Sequence, residues 1–198
     1  LLLGKSPKRG AAAACSTAVA GSLLAMAGAA AALVSGDAVA VRWAWQVPFG
    51  SLSFGLDPLS CAFVLPIAIV VAVAAIYGRE YLEHSSRAST IAVSWFHFNL
   101  LAATMLLVVA ARNGLVFLVC WEVMSLASFF LVMTDHDREE VRRAGWTYLV
   151  ATHLGTALLL VLFLLLGRES GSLDFDRLSS EPALAGGMFL LAVVDLMF

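Results

Sequence analysis

Long apolar stretches alternate with short polar segments along the chain, and each stretch is about as long as a membrane-spanning helix. A helix needs about 20 apolar residues to cross a hydrocarbon core of ~30 Å, where all backbone hydrogen bonds must form within the segment. Five stretches reach that length: residues 11–34, 58–78, 91–111, 114–134 and 144–166. The pattern predicts an all-α integral membrane protein, a bundle of five transmembrane helices.

Shorter segments flank these five spans. Residues 1–10 hold three leucines and three basic residues, and are predicted to contain the end of an earlier span and a cytoplasmic loop. Residues 167–182 are predicted to form an external loop, and the apolar residues 183–198 the start of a further span. Because the chain begins with Leu and ends within an apolar run, we expect it to be a fragment of a longer protein, with partial spans at both ends.

The loops differ in their content of Lys and Arg, which sets the expected orientation. If residues 1–10 lie in the cytoplasm, the cytoplasmic loops hold eight of these residues and the external loops hold four. Since loops rich in Lys and Arg stay on the cytoplasmic side, this orientation is favoured. The charged stretch 135–143 is then a cytoplasmic loop, and its mixed charges are typical of a solvated segment.

The composition agrees with a membrane protein. Of the 198 residues, 61% are hydrophobic and 13% are charged, whereas soluble domains average about 45–50% and about 25%. A formal net charge of −2 without a basic face argues against nucleic-acid binding. The three cysteines lie inside apolar runs and form no CxxC pair, so we expect them to pack as small apolar residues. The chain is therefore not expected to carry a redox cofactor or a metal of its own.

Two of the spans contain residues that indicate how the helix starts, bends or packs. Asp57 and Pro58 open the second span as an acidic N-cap and a proline at the first helical position, and Pro66 inside that span is expected to kink it. The first span is half alanine, and Gly21 and Gly28 lie seven residues apart on one face. Such small residues let helix backbones approach closely, so this helix is predicted to pack tightly against its neighbours.

One carboxylate, Glu122, lies inside the apolar run "LVCWEVMSLASFF". It is the ninth of the 21 residues of span 114–134, which places it about 3 Å from the midplane at ~1.5 Å per residue. A charge at that depth costs at least ~2.5 kcal/mol on insertion scales, and such residues usually mark an ion or proton pathway. The alternative is a neutral glutamate that only bonds neighbouring helices together. We favour the titrating role, with Trp121 beside it as a wall.

His153 is the second ionisable group near the middle of a span. It is the tenth of the 23 residues of span 144–166, with Thr152 and Thr156 beside it. Histidine titrates near neutral pH and suits a proton relay. Spacing along the chain does not say whether His153 faces Glu122, so a relay and a structural hydrogen bond both stay open.

Several other polar or aromatic residues have simpler interpretations. Ser125 and Ser128 follow Glu122 at helical spacing, and either hold water or bond back to their own helix, the commoner arrangement. His97 lies among aromatic residues, which favours packing or an interfacial position. Trp146 and Tyr148 fall near the predicted cytoplasmic end of their span, where an aromatic belt explains them.

The chain resembles the antiporter-like subunits of respiratory complex I and their relatives, above all the hydrogenase 4 and formate hydrogenlyase branch. The resemblance lies in "FGLDPLS", in "FNLLAATMLLVVAARNGLVFLVCWEVMSLASFFLV" and in "AGWTYLVATHLGTALLL". It covers roughly residues 50–194, and "WEVMSLASFFLV" is its most specific part. The fold that it implies is an antiporter-like bundle, truncated in this chain.

The resemblance also implies roles for individual residues. In that family the glutamate of the "WE" pair, here Glu122, is a protonatable residue of a half-channel, and its partner is a lysine in a broken helix downstream. That lysine is expected beyond Phe198, and the final "DLMF" departs from the usual glycine-rich approach to it. Complex I relatives often carry an acidic residue near the position of Thr156. This chain has "THLGT" there instead, and the resemblance implies that His153 is a feature of the hydrogenase-type branch.

The implied function is that of a proton-translocating, non-redox membrane subunit of a multi-subunit oxidoreductase of the hydrogenase or NADH–quinone type. Flavin, iron–sulfur clusters, a nickel–iron centre or quinone are then expected on partner subunits, and none on this chain. The expected partners are the lipid bilayer and other membrane and peripheral subunits, and the expected location is the bacterial inner membrane.

Two other functions stay open. A subunit of a multi-subunit cation/proton antiporter has the same fold and the same "WE" glutamate. A structural or assembly module of a membrane complex conducts nothing. The residues of this chain do not identify the electron donor or the coupled ion.

Overall fold

Five long helices make up most of the part of the chain that the computed structural model describes, namely residues 7–36, 39–43, 51–85, 88–178, 186–187 and 193. In chain order they are α1 (Pro7–Ser35), α2 (Pro58–Ser85), α3 (Ala88–Ala110), α4 (Gly114–Val132) and α5 (Glu139–Ser170). All five are long and apolar enough to cross a membrane. The predicted all-α membrane fold is therefore confirmed.

The helices extend several of the predicted spans into the segments predicted as loops. Helix α5 begins at Glu139, because Glu139 and Glu140 place negative charge in its first turn, where the helix dipole favours it. A 3-10 turn, Met133–Asp135, precedes it, so the loop predicted at 135–143 is short. At its other end α5 continues to Ser170 and stops at Gly171, whose φ of 66° is the left-handed conformation of a helix C-cap.

The predicted partial spans lie almost wholly outside the described residues. Residues 1–6 are not among them, so the expected end of an earlier span at the start of the chain is not described. Of the segment 183–198, the structure describes residues 186–187 and 193, all helical.

A two-stranded antiparallel hairpin between α1 and α2 is an element that the hydrophobic pattern did not predict. Strand β1 (Val39–Trp43) pairs with β2 (Leu52–Leu56), with Val39 opposite Leu56 and Trp43 opposite Leu52. The hairpin lies at the end of the bundle where α1 and α3 finish and where α2 and α4 begin, and Phe54 forms a bridge to Ala111 in the α3–α4 turn. It covers that turn, from which α4 starts.

Asp57 holds the start of α2 and joins it to the α3–α4 turn. Its Oδ1 accepts a hydrogen bond from the backbone N–H of Ser60 at 2.7 Å, which is the predicted N-cap. Its Oδ2 accepts one from Nη1 of Arg112 at 2.8 Å. The hydrogen bonds from the Arg112 guanidinium and the Ser60 amide hold the pKa of Asp57 well below its usual range.

Asn113 ties the start of α4 to the segment after α5. Its side chain is almost fully buried, and its Oδ1 accepts a hydrogen bond from the backbone N–H of Leu115 at 2.9 Å. Its Nδ2 donates to Oδ1 of Asp174 at 2.8 Å, and Ser51 donates to the same oxygen at 3.1 Å. Burial alone would raise the pKa of Asp174, but the hydrogen bonds from Asn113 and Ser51 outweigh it and the pKa lies below its usual value.

Helix α1 packs against α2 and α3, and α4 lies between α3 and α5. Small residues on one face of α1 pack closely: Ala11, Cys15 and Ala18 form a buried cluster with Ala75 and Trp95. The predicted face of Gly21 and Gly28 does not take part, because a Cβ at either glycine would meet no atom of the described residues within 4 Å. The α4–α5 seam is the part of the bundle that positions Glu122.

Candidate functional site

Glu122 and His153 face each other across the α4–α5 seam. Glu122 is the ninth of the 19 residues of α4, and His153 is the fifteenth of the 32 residues of α5. Each therefore lies near the middle of its helix. Nε2 of His153 lies 3.1 Å from Oε1 of Glu122, which is hydrogen-bonding distance.

The second carboxylate oxygen of Glu122 also has a partner on α5. The hydroxyl of Thr156 lies 2.9 Å from Oε2, and it has a competing acceptor, the carbonyl of Thr152, at 3.0 Å. Since one hydroxyl carries one hydrogen, Thr156 donates either to the carboxylate of Glu122 or to the carbonyl of Thr152 in its own helix. Both carboxylate oxygens of Glu122 thus contact side chains of a single helix, α5.

The second ring nitrogen of His153 determines how many protons the pair holds. Nδ1 lies 2.9 Å from the carbonyl oxygen of Leu149, and because a carbonyl can only accept, Nδ1 carries a hydrogen. The bond between Nε2 and Oε1 then needs one further proton. That proton lies on the carboxyl, with a neutral imidazole, or on the imidazole, with a carboxylate. The two groups together can hold and release one proton.

The pair is partly open on one flank of the seam. Its side chains retain 31% exposure at Glu122 and 47% at His153. Ionisable groups at mid-membrane depth face protein or a water-filled cavity rather than lipid. We therefore expect further protein or water, rather than lipid, to cover this flank of α4 and α5.

The seam is apolar between the pair and the hairpin end of the bundle. Leu118 of α4 packs with Leu159 and Phe163 of α5 in a buried cluster. Phe117 and Trp121 stack beside it with ring centroids 5.7 Å apart, so Trp121 is part of the wall, as expected. We call this set of five side chains the apolar plug.

The seam is polar on the other side of the pair. Ser128 donates to the carbonyl of Ser125 at 2.8 Å, the back-bonding expected of it, and its hydroxyl also forms a short hydrogen bond with that of Tyr148. Thr152 lies between Tyr148 and Thr156 on the same face of α5. The aromatic belt predicted for Tyr148 does not account for this contact, which the sequence did not reveal. The available signal was the four-residue spacing of Tyr148, Thr152 and Thr156, which puts three hydroxyls on one helix face.

His97 lies apart from this site. Its Nδ1 is 2.9 Å from the carbonyl of Val93, and its ring lies 4.8 Å from that of Phe130. This is the packing role expected from its aromatic neighbours. Across the described ranges, no three His, Cys, Asp or Glu side chains come close enough to hold a metal ion.

Comparison with known proteins agrees with the membrane fold. Residues 111–198 match the family described as NADH:quinone oxidoreductase/Mrp antiporter, transmembrane. The chain is 37% identical over 163 residues to hydrogenase-4 component B of Escherichia coli, in an alignment that covers 81% of this chain and 24% of that protein. It thus spans about a quarter of the length of this relative.

Two solved structures share the fold. One belongs to the membrane-bound sulfane sulfur reductase, an archaeal respiratory membrane complex, with a TM-score of 0.69 and 21% identity over 96% of this chain and 32% of that one. The other belongs to the Mrp complex of Dietzia sp., with a TM-score of 0.71 and 22% identity over 88% of this chain and 19% of that one. The family resemblance seen in the sequence is confirmed, and the chain belongs to the family of membrane subunits that NADH:quinone oxidoreductases, Mrp antiporters and hydrogenase 4 share.

Proposed function

We propose that this chain is part of a proton-translocating membrane subunit of a redox complex, and that the Glu122–His153 pair takes up and releases the proton. The observation that carries the proposal is the 3.1 Å contact between the two side chains at the middle of their helices. A pair that holds one proton between carboxylate and imidazole is neutral. Losing that proton leaves a negative charge near the bilayer centre, which is costly unless a positive charge approaches. The movement of a nearby charge would therefore load or unload the pair.

Membership of this family supports placing the Glu122–His153 pair in a multi-subunit membrane complex. Hydrogenase-4 component B, at 37% identity, favours a hydrogenase-type complex in the bacterial inner membrane, with this chain bound to other membrane and peripheral subunits. Electron transfer through flavin, iron–sulfur, nickel–iron or quinone groups would then occur on those partners. The lysine that the resemblance implies downstream would supply the moving positive charge, and the open flank of the pair gives it a surface to approach.

The proposal is tested by Glu122→Gln in the full-length protein within its native complex, reconstituted into vesicles. The amide keeps the shape and hydrogen-bonding capacity but does not titrate, so proton translocation per electron should fall about tenfold or more, while the complex assembles. The matched control is Glu140→Gln, which neutralises a carboxylate that is 87% exposed at the start of α5 and should leave translocation unchanged. Normal translocation in Glu122→Gln would overturn the proposal.

A cation/proton antiporter subunit is the second candidate, because the Mrp complex is among the proteins that share the fold. The same pair would then exchange a proton against a cation that moves through the rest of the assembly. Proton movement in vesicles that requires an opposed sodium or potassium gradient, and that proceeds without electron transfer, would favour this candidate. A structural module, the third possibility, predicts no effect of Glu122→Gln under either condition.

A further inference from the structure

Two side chains of α5 hold the carboxylate of Glu122. His153 and Thr156 are three residues apart and therefore lie on the same face of α5. Nε2 of His153 lies 3.1 Å from Oε1 of Glu122, and the hydroxyl oxygen of Thr156 lies 2.9 Å from Oε2. Because each carboxylate oxygen has its own partner, the two contacts together fix the plane of the carboxylate and keep Oε1 against the imidazole.

The hydroxyl of Thr156 reaches two acceptors from one position. Its oxygen lies 2.9 Å from Oε2 of Glu122 and 3.0 Å from the carbonyl oxygen of Thr152. Both distances are within the range of a hydrogen bond, but the hydroxyl has only one hydrogen to donate. Rotation of that hydrogen about the C–O bond changes the acceptor without moving a heavier atom. The stronger acceptor therefore takes the hydrogen.

The charge on Glu122 determines which acceptor is the stronger. A hydrogen bond to an ionised carboxylate is roughly twice as strong as one between neutral groups, so a charged Glu122 takes the hydrogen from the carbonyl of Thr152. A protonated carboxyl is a neutral acceptor. The carbonyl one turn back then competes well, because it is an ordinary partner for a threonine within a helix.

The proton that loads the pair belongs on the carboxyl in this setting. The alternative is an imidazolium beside a carboxylate, which places two charges near the middle of their helices. Away from water, the cost of desolvating two ions can exceed the attraction between them. A neutral carboxyl beside a neutral imidazole avoids that cost, so loading the pair neutralises Glu122.

His153 is the titratable group that contacts Glu122 among the residues that the structure describes. Helix α4 packs against α3 and α5, and three other titratable side chains lie well inside the described parts of these helices. His97 of α3 packs on an aromatic ring of α4, Cys120 of α4 lies in an apolar cluster next to α3, and Tyr148 of α5 bonds to a serine hydroxyl. The pH response of Glu122 therefore depends first on His153 and on its hydrogen bonds.

We infer that Thr156 is a positioning residue that stabilises the unloaded, negatively charged state of the Glu122–His153 pair and changes its acceptor when the pair is loaded. This inference rests on the proposed function. In the unloaded pair, Thr156 donates to Oε2 of Glu122 and lowers the cost of its negative charge. In the loaded pair, the proton lies between Oε1 of Glu122 and Nε2 of His153, and Thr156 donates to the carbonyl of Thr152. No proton passes through Thr156, whose hydroxyl is neutral in both states.

The first test measures proton translocation against pH for Thr156→Val in the full-length protein within its complex, reconstituted into vesicles. Valine keeps the shape of threonine but has no hydroxyl, so the charged state of the pair becomes harder to form. Translocation should therefore be about threefold to tenfold slower at neutral pH. Its fall on the alkaline side should move up by about one pH unit, since the lost hydrogen bond is to a charged group.

Two further variants serve as controls for the hydroxyl. Thr156→Ser keeps a hydroxyl and should show the parent's rate and pH profile. Thr104→Val is the matched control, because this buried threonine of α3 bonds to the carbonyls of Leu100 and Leu101 in its own helix, and its loss should change neither. An unshifted pH profile in Thr156→Val, or an equal shift in Thr156→Ser, would overturn the inference.

The outcomes separate this inference from the proposed function. If Glu122→Gln abolishes translocation while Thr156→Val keeps the parent's pH profile, Thr156 has no such role and the function of the pair stands. If Thr156→Val is slower without a shift of the profile, the loss comes from packing, and the inference is again wrong. Normal translocation in Glu122→Gln overturns the proposed function itself.

The second test does not depend on turnover. Infrared spectra of the resting complex are recorded against pH, and the bands of Glu122 are assigned as those that Glu122→Gln lacks. The carboxyl band should give way to the carboxylate band at a pH about one unit higher in Thr156→Val than in the parent, and at the parent's pH in Thr156→Ser. Equal values in Thr156→Val and the parent, or a Glu122 that shows only carboxylate bands at every pH, would overturn the inference.

Discussion

At the scale of single residues, the depth of Glu122 followed from the sequence but its partner did not. Counting along an apolar run gives the height of a residue in the membrane, because each helical residue rises by ~1.5 Å. It does not give the rotation of one helix against another. The contacts of Glu122 with His153 and Thr156 depend on that rotation, which packing of the whole seam sets. The sequence therefore left the role of His153 open, and the structure supplies the contact.

The contact predicts that His153 matters for translocation and that His97 does not. His153→Gln keeps an amide that can bond to Glu122 but cannot hold an extra proton, so proton translocation per electron should fall while the complex assembles. His97→Gln is the control, since that imidazole packs on Phe130 and should be replaceable without loss. Equal rates in both variants, measured in reconstituted vesicles, would return His153 to a packing role.

Asp57 gives a prediction on pH and stability. Its pKa is lowered from an ordinary value of 3.8, so its ionised form stabilises the fold at all pH values above about 4, and this contribution is lost as the pH falls further. Asp57→Asn keeps the helix cap but loses the charge opposite Arg112. Because Asp57 is 34% exposed, the cost at pH 7 should be about 0.5–1 kcal/mol.

The measurement is thermal unfolding of the detergent-solubilised protein at several pH values. The difference in Tm between the parent and Asp57→Asn should be largest near neutral pH and should shrink toward pH 3. A difference that stays constant or grows as the pH falls would contradict the assigned ion pair.

At the scale of elements, the hydrophobic pattern predicted the helices because membrane spans are long and nearly uniform in polarity. It did not predict the hairpin, since β1 and β2 have five residues each and lie among apolar residues that are also compatible with a loop. The pattern also predicted a span at residues 144–166, which lies within α5, but not how far the helix continues beyond it. Its extension to Glu139 depends on charges in the first turn, which hydropathy does not register.

The start of α4 depends on a close approach that only glycine allows. A Cβ at Gly114 would lie 2.8 Å from Cδ1 of Phe163, so Gly114→Ala should push the ring of the apolar plug aside and cost about 1–3 kcal/mol. Gly21→Ala in α1 is the matched control, because a Cβ there meets nothing within 4 Å; it should stabilise the helix by about 0.5–1 kcal/mol. Thermal unfolding in detergent should show a lower Tm for Gly114→Ala and a higher Tm for Gly21→Ala. A Gly114→Ala protein as stable as the parent would contradict the packing of α4 on α5.

At the scale of the whole molecule, the hairpin end is held by polar contacts between segments far apart in the chain. Asn113 reaches Asp174, 61 residues later, and Arg42 reaches Asp176 at 2.5 Å across 134 residues. Sequence spacing gives no sign of such pairs. These contacts hold the segments together at the hairpin end of the bundle. The short turn at residues 133–138 lies at the opposite end.

The two contacts should differ in strength. Asn113→Ala leaves the start of α4 without its cap and Asp174 without a buried donor, and should cost about 1–3 kcal/mol of stability. Arg42→Ala breaks an ion pair whose side chains are 43% and 65% exposed, and such pairs contribute about 0–1 kcal/mol. Unfolding by heat or denaturant compares the two. A larger loss of stability from Arg42→Ala than from Asn113→Ala would contradict this account, in which the buried hydrogen bonds of Asn113 stabilise the hairpin end more than the exposed ion pair does.

The central claim is that the Glu122–His153 pair changes its protonation during turnover. Infrared difference spectroscopy of the full-length protein in its complex, between resting and turning-over states, detects this directly, because a protonated carboxyl has a C=O stretching band that a carboxylate lacks. We predict a carboxyl or carboxylate band of Glu122 that changes on turnover, persists in Glu140→Gln and is absent from Glu122→Gln. An unchanged difference spectrum in Glu122→Gln would contradict the account.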